Sequence, residues 1–301
     1  MSSPEQAQTY SEPVYAKSDR KNTEYPWYLE NIDKHLLPET RQLLESYSKV
    51  PQDQQSQHVH KISKEEEFLR PPQRDQAWAI RSYPCTGLGV WLVPFISRSP
   101  AYATILQRLR AGATFMDVGC FLGGDLRRLV FDGAPSANMY GVDIVSHWEV
   151  GQALYRDEGR FDAHFIQADI LSLENPALKA LQGRIDVISI SAVLHQWDWK
   201  NQLEAAKKLV AFAKPGALVV GYQIGNIEAQ EVVNTTLKMS QWRHDPASFA
   251  KLWNQVGAET GTTWKTQASL LSWEDMGWDP ADQAWLEPGD RVINFVVTRT
   301  Q

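Results

Sequence analysis

Between residues 100 and 226 the chain alternates between two hydrophobic patterns. Five short apolar runs predict β-strands at residues 114–119, 138–143, 164–168, 185–190 and 217–223. Between them, apolar residues recur every three or four positions and predict amphipathic helices, of which the clearest is residues 202–214. Short buried strands that alternate with helices are typical of a parallel sheet with helices on both faces.

The two ends of the chain follow different patterns. Residues 1–99 are polar, rich in proline and without strand signals, so we expect a helical extension with short helices at 27–32, 40–47 and 63–70 and a loop at 51–57. After the alternating region, Asp245 and Pro246 begin a predicted helix that ends near Val256. The runs 262–271 and 291–298 then predict a final pair of antiparallel strands.

Composition and charge limit the kinds of partner. The 301 residues include 30 basic and 36 acidic side chains, a net charge of -6, which excludes the basic surface that nucleic acid binding requires. No apolar run approaches the roughly 20 residues of a membrane-spanning helix, and the N-terminus lacks the pattern of a secretory signal. We therefore expect a cytoplasmic protein, with Cys85 and Cys120 as free thiols.

The strongest candidate binding site follows the first predicted strand. Asp117 ends this strand, Gly119 opens a tight turn, and a helix is predicted at 126–131, so the backbone can approach a ligand closely. Phe121 occupies the position of the second glycine of a dinucleotide-binding loop, and a Walker lysine is absent. The segment is either an ordinary turn or, as we favour, a site for a ligand without a diphosphate.

Aspartates also end the next two predicted strands. Asp143 can accept hydrogen bonds from both hydroxyls of a ribose, because each carboxylate oxygen offers lone pairs. Asp169 can accept a hydrogen bond from the exocyclic amine of an adenine. Each aspartate alone could simply cap a helix, but aspartates at three successive strand ends favour an adenosine site.

Together these motifs resemble those of the class I S-adenosylmethionine-dependent methyltransferases, over residues 100–301. The resemblance implies an α/β, Rossmann-like fold with a seven-stranded, mostly parallel sheet and an antiparallel last strand, preceded by residues 1–99 as a helical extension. It implies S-adenosyl-L-methionine as cofactor and S-adenosyl-L-homocysteine as product. The implied cofactor-binding residues are Asp117, Gly119, Cys120, Phe121, Asp143, Ile144, Asp169, Ile170 and Ser191. Phe121 departs from the family pattern, which usually has glycine there.

The segment 187–197 borders the transferred methyl group in methyltransferases of this fold. It lacks the motif of the enzymes that methylate adenine or cytosine amines, and the paired glutamates of arginine methyltransferases are also missing, so a small-molecule acceptor is favoured. Segments 25–28, 83–85 and 239–245 resemble fungal methyltransferases of meroterpenoid biosynthesis. That narrower resemblance implies a homodimeric O-methyltransferase of secondary metabolism that esterifies the carboxyl group of a farnesylated polyketide acid.

Aromatic and polar side chains are the candidates for binding this apolar acid. The candidate substrate-binding residues are Tyr25, Trp27, Tyr83, Trp197, Gln223, Trp242 and Arg243. His195 and His244 are candidate catalytic residues, with a loop contact or a helix cap as the alternative for each. A carboxylic acid with a pKa of about 4 is ionised at pH 7 and needs no base, whereas a phenol near about 10 benefits from one. The site is therefore expected to act mainly by positioning.

Other interpretations stay open at this stage. A phenol or C-methyltransferase of secondary metabolism would carry the same motifs, and a non-catalytic cofactor-binding protein could keep the same fold. An NAD-dependent oxidoreductase shares the parallel sheet, but Phe121 and the terminal strand pair disfavour it. The N-terminal extension either covers the site as a lid or only docks on the main domain. His58 and His60 have no further ligand cluster, so no metal is expected.

Overall fold

The computed structural model describes residues 23–60, 73–234 and 239–301. The helix expected at 63–70 lies outside the described residues. None of the described helices is long and apolar enough to span a bilayer.

Short helices form the described part of the N-terminal region, which contains no strand within 23–60 and 73–98. They span Pro38–Gln42 (α1), Gln55–Val59 (α2), Gln73–Ile80 (α3) and Pro84–Leu88 (α4), with 3-10 turns at Asp33–His35, Gln52–Gln54, Val90–Leu92 and Phe95–Arg98 and a π-helical turn at Leu43–Tyr47. The expected helix at 40–47 is thereby confirmed, as is the helical character of this region.

Two details of the N-terminal prediction are wrong. Residues 27–32 form turns and bends instead of a helix, because Trp27 is buried and stacks on Tyr25 at a ring distance of 4.8 Å. The expected loop at 51–57 is largely helical and includes the start of α2. Its Gln55 is buried and donates hydrogen bonds to the carbonyls of Arg41 and Val50, which fixes the segment against α1.

A seven-stranded sheet forms the centre of the remaining chain, with the strand order β3-β2-β1-β4-β5-β9-β8. The strands are Phe115–Val118 (β1), Met139–Asp143 (β2), His164–Gln167 (β3), Ile185–Ile190 (β4), Ala213–Asn226 (β5), Trp264–Leu271 (β8) and Asp290–Arg299 (β9). Strands β1 to β5 pair in parallel, and β9 is antiparallel to both β5 and β8. The predicted mostly parallel sheet with an antiparallel last strand is confirmed.

Helices cover both faces of this sheet, as the alternating pattern predicts. They span Tyr102–Arg110 (α5), Gly124–Phe131 (α6), Trp148–Tyr155 (α7), Pro176–Lys179 (α8), Trp199–Phe212 (α9) and Pro246–Thr260 (α10). One hydrophobic core lies between the sheet and α9 and α10, and a second lies between the opposite face and α5 and α6. Asp198 and Asp245 cap α9 and α10 by accepting hydrogen bonds from backbone N–H groups of their first turns.

A small antiparallel hairpin, Gln230–Asn234 (β6) and Met239–Arg243 (β7), was not predicted from the sequence. Its strands carry few apolar residues, so the period-2 hydrophobic signal of a half-buried strand is weak. The N–H of Trp242 donates to the carbonyl of Trp197 at 2.9 Å, which places β7 beside the turn that follows β4.

A third hydrophobic core joins the N-terminal region to the connection between β8 and β9. Trp27, Trp78 and Phe95 pack there with Trp273 and Trp278. The N-terminal region and the β8–β9 connection, which are distant in sequence, therefore share one cluster, and Tyr222 and Ile224 of β5 pack against it.

Candidate active site

A cavity of about 270 Å³ lies at the carboxyl ends of the parallel strands, the edge at which open α/β sheets bind ligands. Its floor is formed by residues that follow β1, β2, β3 and β4 and by Tyr222 and Ile224 of β5. Residues between 83 and 95 and between 278 and 286 complete the wall. All nine expected cofactor-binding residues line this cavity, together with Tyr83, His195, Trp197 and Arg243.

The glycine turn after β1 leaves no room for a side chain. Gly119 has φ +75°, and a Cβ atom there would lie 2.3 Å from Cγ2 of Val193. Its N–H donates to the carbonyl of Val142 at 2.7 Å, which ties the turn to β2. Glycine is therefore required by the packing of this turn against Val193, and Gly119 also lines the cavity, where its backbone can approach a ligand closely.

Phe121, the departure from the family pattern, adopts a left-handed conformation with φ +49°. Such a conformation is uncommon for a residue other than glycine. The N–H of Phe121 donates to Oδ2 of Asp143 at 2.9 Å, and its ring packs against Trp91 and His147. These contacts explain how the loop keeps its shape without the usual glycine.

Four carboxyl groups line the cavity near the ends of β1, β2 and β3. They are Asp117, Asp125, Asp143 and Asp169, of which Asp125 was not among the predicted residues. Burial raises the pKa of Asp143 and of Asp125 to about 6, and burial together with the neighbouring Asp125 raises the pKa of Asp117. Among the described residues that line the cavity, Arg243 is the single arginine or lysine. This side of the cavity therefore favours a ligand that brings positive charge.

His195 lies in the 3-10 turn Leu194–Gln196 after β4 and faces the cavity. The N–H of Ile224 donates to its Nδ1 at 3.3 Å. Burial and the charge of Arg243 lower the pKa of His195 to about 3. The ring is therefore neutral at pH 7, and because Nδ1 accepts a hydrogen bond, the proton must lie on Nε2.

Arg243 is buried below this turn, and its hydrogen bonds go to protein groups. Its Nη1 donates to the carbonyl of His195 at 2.9 Å, and its Nη2 donates to Oε1 of Gln241 at 2.8 Å. Its Nε lies 3.7 Å from Oδ2 of the buried Asp290. Arg243 thus supplies positive charge at the β5 side of the cavity, and its guanidinium donates hydrogen bonds to His195 and Gln241.

Five of the predicted site residues are not among the residues that line this cavity. Tyr25 and Trp27 pack in the core that the N-terminal region shares with the β8–β9 connection. Gln223 points to the opposite face of β5 from Tyr222 and Ile224, because side chains alternate along a strand.

The remaining two, Trp242 and His244, contact the start of α10. The Nε1 of Trp242 donates to Oγ of Ser248 at 3.2 Å. His244 is buried, with Nδ1 2.8 Å from the same Oγ and Nε2 3.2 Å from Oε1 of Gln202. Both ring nitrogens of His244 are occupied by protein groups, so this geometry gives it a structural position.

Sequence reasoning missed several residues of the cavity wall. Asp125 follows the glycine turn and Gln241 lies in the segment 239–245, both of which were used for prediction. Neither an aspartate nor a glutamine at these positions indicates a binding role by itself. Phe95, Trp278 and Trp285 reach the cavity from irregular segments distant in sequence, and only the tertiary structure brings them together. Both cysteines are free thiols, as expected.

The strand order with an antiparallel β9, and a cavity with three aspartates at successive strand ends, are the features expected of a class I S-adenosylmethionine-dependent methyltransferase. Comparison with known proteins gives a narrower result. A model of the meroterpenoid methyltransferase N-terminal domain matches residues 27–92. The O-methyltransferase atr3 of Stereocaulon alpinum is 35% identical over 292 residues, which cover 95% of this chain and 80% of that protein.

Two further relatives agree with this result. The O-methyltransferase phiE of Fungal sp. (strain ATCC 74256) is 33% identical over 81% of this chain and 79% of its own length. The asnovolin E/chermesin D methyltransferase nvfJ of Aspergillus novofumigatus is 34% identical over 86% of this chain and 88% of its own length. The chain belongs to this family of fungal methyltransferases. The predicted class and enzyme activity are confirmed, and the oxidoreductase interpretation is set aside.

Proposed function

We propose that the enzyme transfers a methyl group from S-adenosylmethionine to a carboxylate oxygen of an apolar natural-product acid, a farnesylated polyketide, and forms its methyl ester. Two relatives are named O-methyltransferases, one is named for asnovolin E and chermesin D, and the matching domain is named for meroterpenoids. These names support an oxygen acceptor on a molecule of that chemical class.

The cavity fits the cofactor on three observations: the glycine turn without room for a Cβ atom, the buried Asp117, and the excess of carboxyl groups. We assign Asp143 to the ribose hydroxyls and Asp169 with Ile170 to the adenine. Asp117, Gly119 and Cys120 then lie beside the methionine portion, and Ile144, Phe121 and Ser191 complete the contacts. The bound cofactor supplies a methyl group made electrophilic by its positively charged sulfur.

The observation that carries the carboxyl assignment is the state of His195. At pH 7 its ring is neutral, and the nitrogen that faces away from Ile224 already holds a proton. His195 therefore cannot remove a proton from an acceptor, whereas it can donate a hydrogen bond. An ionised carboxylate, with a pKa of about 4 as the free acid, already carries the electron pair that forms the new oxygen–carbon bond. A phenol would need a base, and His195 cannot serve as one in this state.

The rest of the cavity wall is suited to an apolar chain. Phe95 lies between Tyr222 and Trp278, with ring centroids 4.8 Å and 5.4 Å away. Trp285 and Leu286 extend the same wall. Burial of a prenyl chain against such a surface is favourable by about 0.8 kcal/mol per CH₂ group, so the chain contributes much of the substrate affinity.

We further propose that the chain consists of a catalytic domain, residues 100–301, and an N-terminal extension, residues 1–99, that covers the site. Tyr83, Trp91 and Phe95 line the cavity from this extension, and the N–H of Ile96 donates to Oδ1 of Asp125 at 3.2 Å. A cover of this kind would exclude water from the reacting groups.

We also propose that the enzyme is a homodimer and that it acts in the cytoplasm. Light scattering of the purified protein tests whether it is a dimer.

The proposed activity is tested with purified enzyme, S-adenosylmethionine and two acceptors: a farnesylated aromatic acid and the farnesylated phenol that lacks the carboxyl group. We expect the acid to give a product heavier by one methylene group that alkaline hydrolysis converts back to the acid. Methylation of the phenol alone, as an ether that resists hydrolysis, would overturn the proposal.

A further inference from the structure

Gln241 and His195 present hydrogen-bond donors to the cavity whose directions are fixed by neighbouring protein groups. Both side chains lie in the cavity wall. Gln241 stands on β7 and His195 in the turn after β4, and these two elements contact each other. Sequence analysis had not assigned any role to Gln241.

The amide of Gln241 can be oriented in only one way. Arg243 Nη2 lies 2.8 Å from its Oε1, and a guanidinium group only donates hydrogen bonds. The oxygen of the amide must therefore face Arg243, and the Nε2 amine faces away from it. No described residue accepts a hydrogen bond from this amine, and the Gln241 side chain lines the cavity.

A hydrogen bond from the backbone likewise determines which nitrogen of the His195 ring carries the proton. The backbone N–H of Ile224 can only donate, so Nδ1 must accept and Nε2 must carry the proton. No described residue accepts a hydrogen bond from this Nε2. Two side chains of the cavity wall thus each offer an N–H group.

One guanidinium group holds both donors in place. Arg243 Nη1 donates to the backbone carbonyl of His195 while Nη2 donates to the side chain of Gln241. Arg243 is itself held near Asp290, which accepts a hydrogen bond from Asn226 at 2.9 Å. The planar fork of an arginine suits this double contact, which the single ammonium group of a lysine would not reproduce.

On the basis of the proposed function, we propose that Gln241 and His195 form a clamp of two donors for the carboxylate of the acceptor, and that Arg243 is the residue that positions both. A carboxylate offers two oxygens that only accept, so it can satisfy both donors at once. The buried charge of Arg243 behind them favours an anion. An alcohol in the same place would bring its own donor and no charge.

The clamp is tested by the preference of the enzyme for farnesoic acid over farnesol, measured by calorimetric titration in the presence of S-adenosylhomocysteine. We expect the wild-type protein to bind the acid about tenfold or more tightly. In Gln241→Glu the donor is replaced by an acceptor of nearly the same shape. We expect this variant to lose the preference and to bind farnesol and S-adenosylhomocysteine within about twofold of wild type.

Three further variants complete the test. Gln267→Glu introduces the same charge on the exposed side of β8 and should keep the preference for the acid. Gln241→Met removes the donor without adding charge, and it serves if Gln241→Glu does not fold. Arg243→Lys keeps the charge but not the fork, so the preference for the acid should fall while S-adenosylhomocysteine affinity stays unchanged.

The possible results separate this inference from the proposed function. If wild type binds farnesol as tightly as the acid, the carboxyl assignment fails together with the clamp. If wild type prefers the acid and both Gln241 variants retain that preference, the clamp is wrong and the carboxylate is bound elsewhere. If the Gln241 variants lose affinity for both ligands equally, Gln241 supports the shape of the cavity and does not bind the carboxylate.

Discussion

At the scale of single residues, the cavity separates two kinds of charge along the carboxyl edge of the sheet. Carboxyl groups gather after β1, β2 and β3, where the cationic cofactor is assigned. Arg243 and the neutral donors lie near β5 and β7, where the anionic acceptor is assigned. In the proposed reaction we expect this separation to give both substrates favourable electrostatics and to orient the acceptor oxygen toward the methyl group, which is what a displacement reaction requires.

Asp143→Asn tests the ribose assignment directly. The side chain keeps its shape, but it loses the charge and one of its acceptor oxygens, so we expect S-adenosylhomocysteine affinity to fall by about 1–3 kcal/mol in calorimetric titration. Asp186→Asn, at the opposite end of the sheet and paired with Lys214, should leave the affinity unchanged. Equal affinities for wild type and Asp143→Asn would remove Asp143 from the cofactor site.

Cofactor affinity should also depend on pH. Burial raises the pKa of Asp143 and Asp125 to about 6 in the free protein, and the ribose hydroxyls and the ammonium group of S-adenosylhomocysteine both favour ionised carboxylates. Binding therefore releases protons below about pH 6, so S-adenosylhomocysteine should bind more tightly as the pH rises from 5 to 7 and level off above. Calorimetric titrations at several pH values check this. We expect the affinity of Asp143→Asn for S-adenosylhomocysteine to change less with pH than that of the wild type. A flat profile for wild type would contradict the assignment.

At the scale of elements, a buried ion pair supports the helix that follows the glycine turn. Arg127 of α6 and Asp157 are fully buried, with Nε 2.7 Å from Oδ2, and the hydroxyl of Tyr47 donates to the same oxygen at 2.9 Å. Arg127 Nη1 also donates to the carbonyl of Leu122 in the glycine turn at 2.7 Å. The buried pair of Arg127 and Asp157 therefore connects the N-terminal region, α6 and the glycine turn.

Removal of one partner of this pair should be costly. Asp157→Ala leaves the guanidinium of Arg127 buried without its carboxylate, and we expect the free energy of unfolding in urea to fall by roughly 3–5 kcal/mol. Glu174→Ala breaks the exposed pair with Lys179 and should change it by less than about 1 kcal/mol. Similar small losses in both variants would show that the buried pair does not stabilise this junction.

At the scale of the whole molecule, four parts of the chain that are distant in sequence build the cavity. The seven-stranded sheet and the turns after its strands supply the floor, β7 contributes Gln241 and Arg243, residues 83–95 form one wall, and residues 278–286 form another. Trp285 belongs to the last of these and packs against Trp27, with ring centroids 5.4 Å apart. In the proposed complex we therefore expect residues 83–95 and 278–286 to enclose the apolar part of the substrate.

Trp285→Ala should weaken binding of the prenyl chain without changing the cofactor site. We expect the KM for a farnesylated acid to rise by about tenfold, as one large apolar contact is lost, while S-adenosylhomocysteine affinity is unchanged. The same acid without its prenyl chain should show equal KM values for variant and wild type. A KM increase of the same size for both acids would show that Trp285 does not contact the prenyl chain.

The sequence was sufficient to predict the sheet, because most of its strands contain a short apolar run, and because Asp117, Asp143 and Asp169 lie at or just after the ends of the first three. It was not sufficient for the acceptor end. The hairpin β6–β7 carries few apolar residues, so the position of Gln241 and the engagement of Arg243 with His195 depend on tertiary contacts. His244 and Gln223 were expected near the substrate for their chemistry alone, but their side chains face other parts of the protein.

The most direct test of the account is the methylation of one acceptor that carries both a carboxyl group and a phenol on a farnesylated ring. Enzyme, S-adenosylmethionine and this acceptor are incubated at pH 7, and the methylated oxygen is identified by nuclear magnetic resonance. We expect the methyl ester alone, because the proposed site holds a carboxylate with the neutral donors of Gln241 and His195, and His195 cannot act as a base. A methyl ether on the phenol as the main product would contradict it.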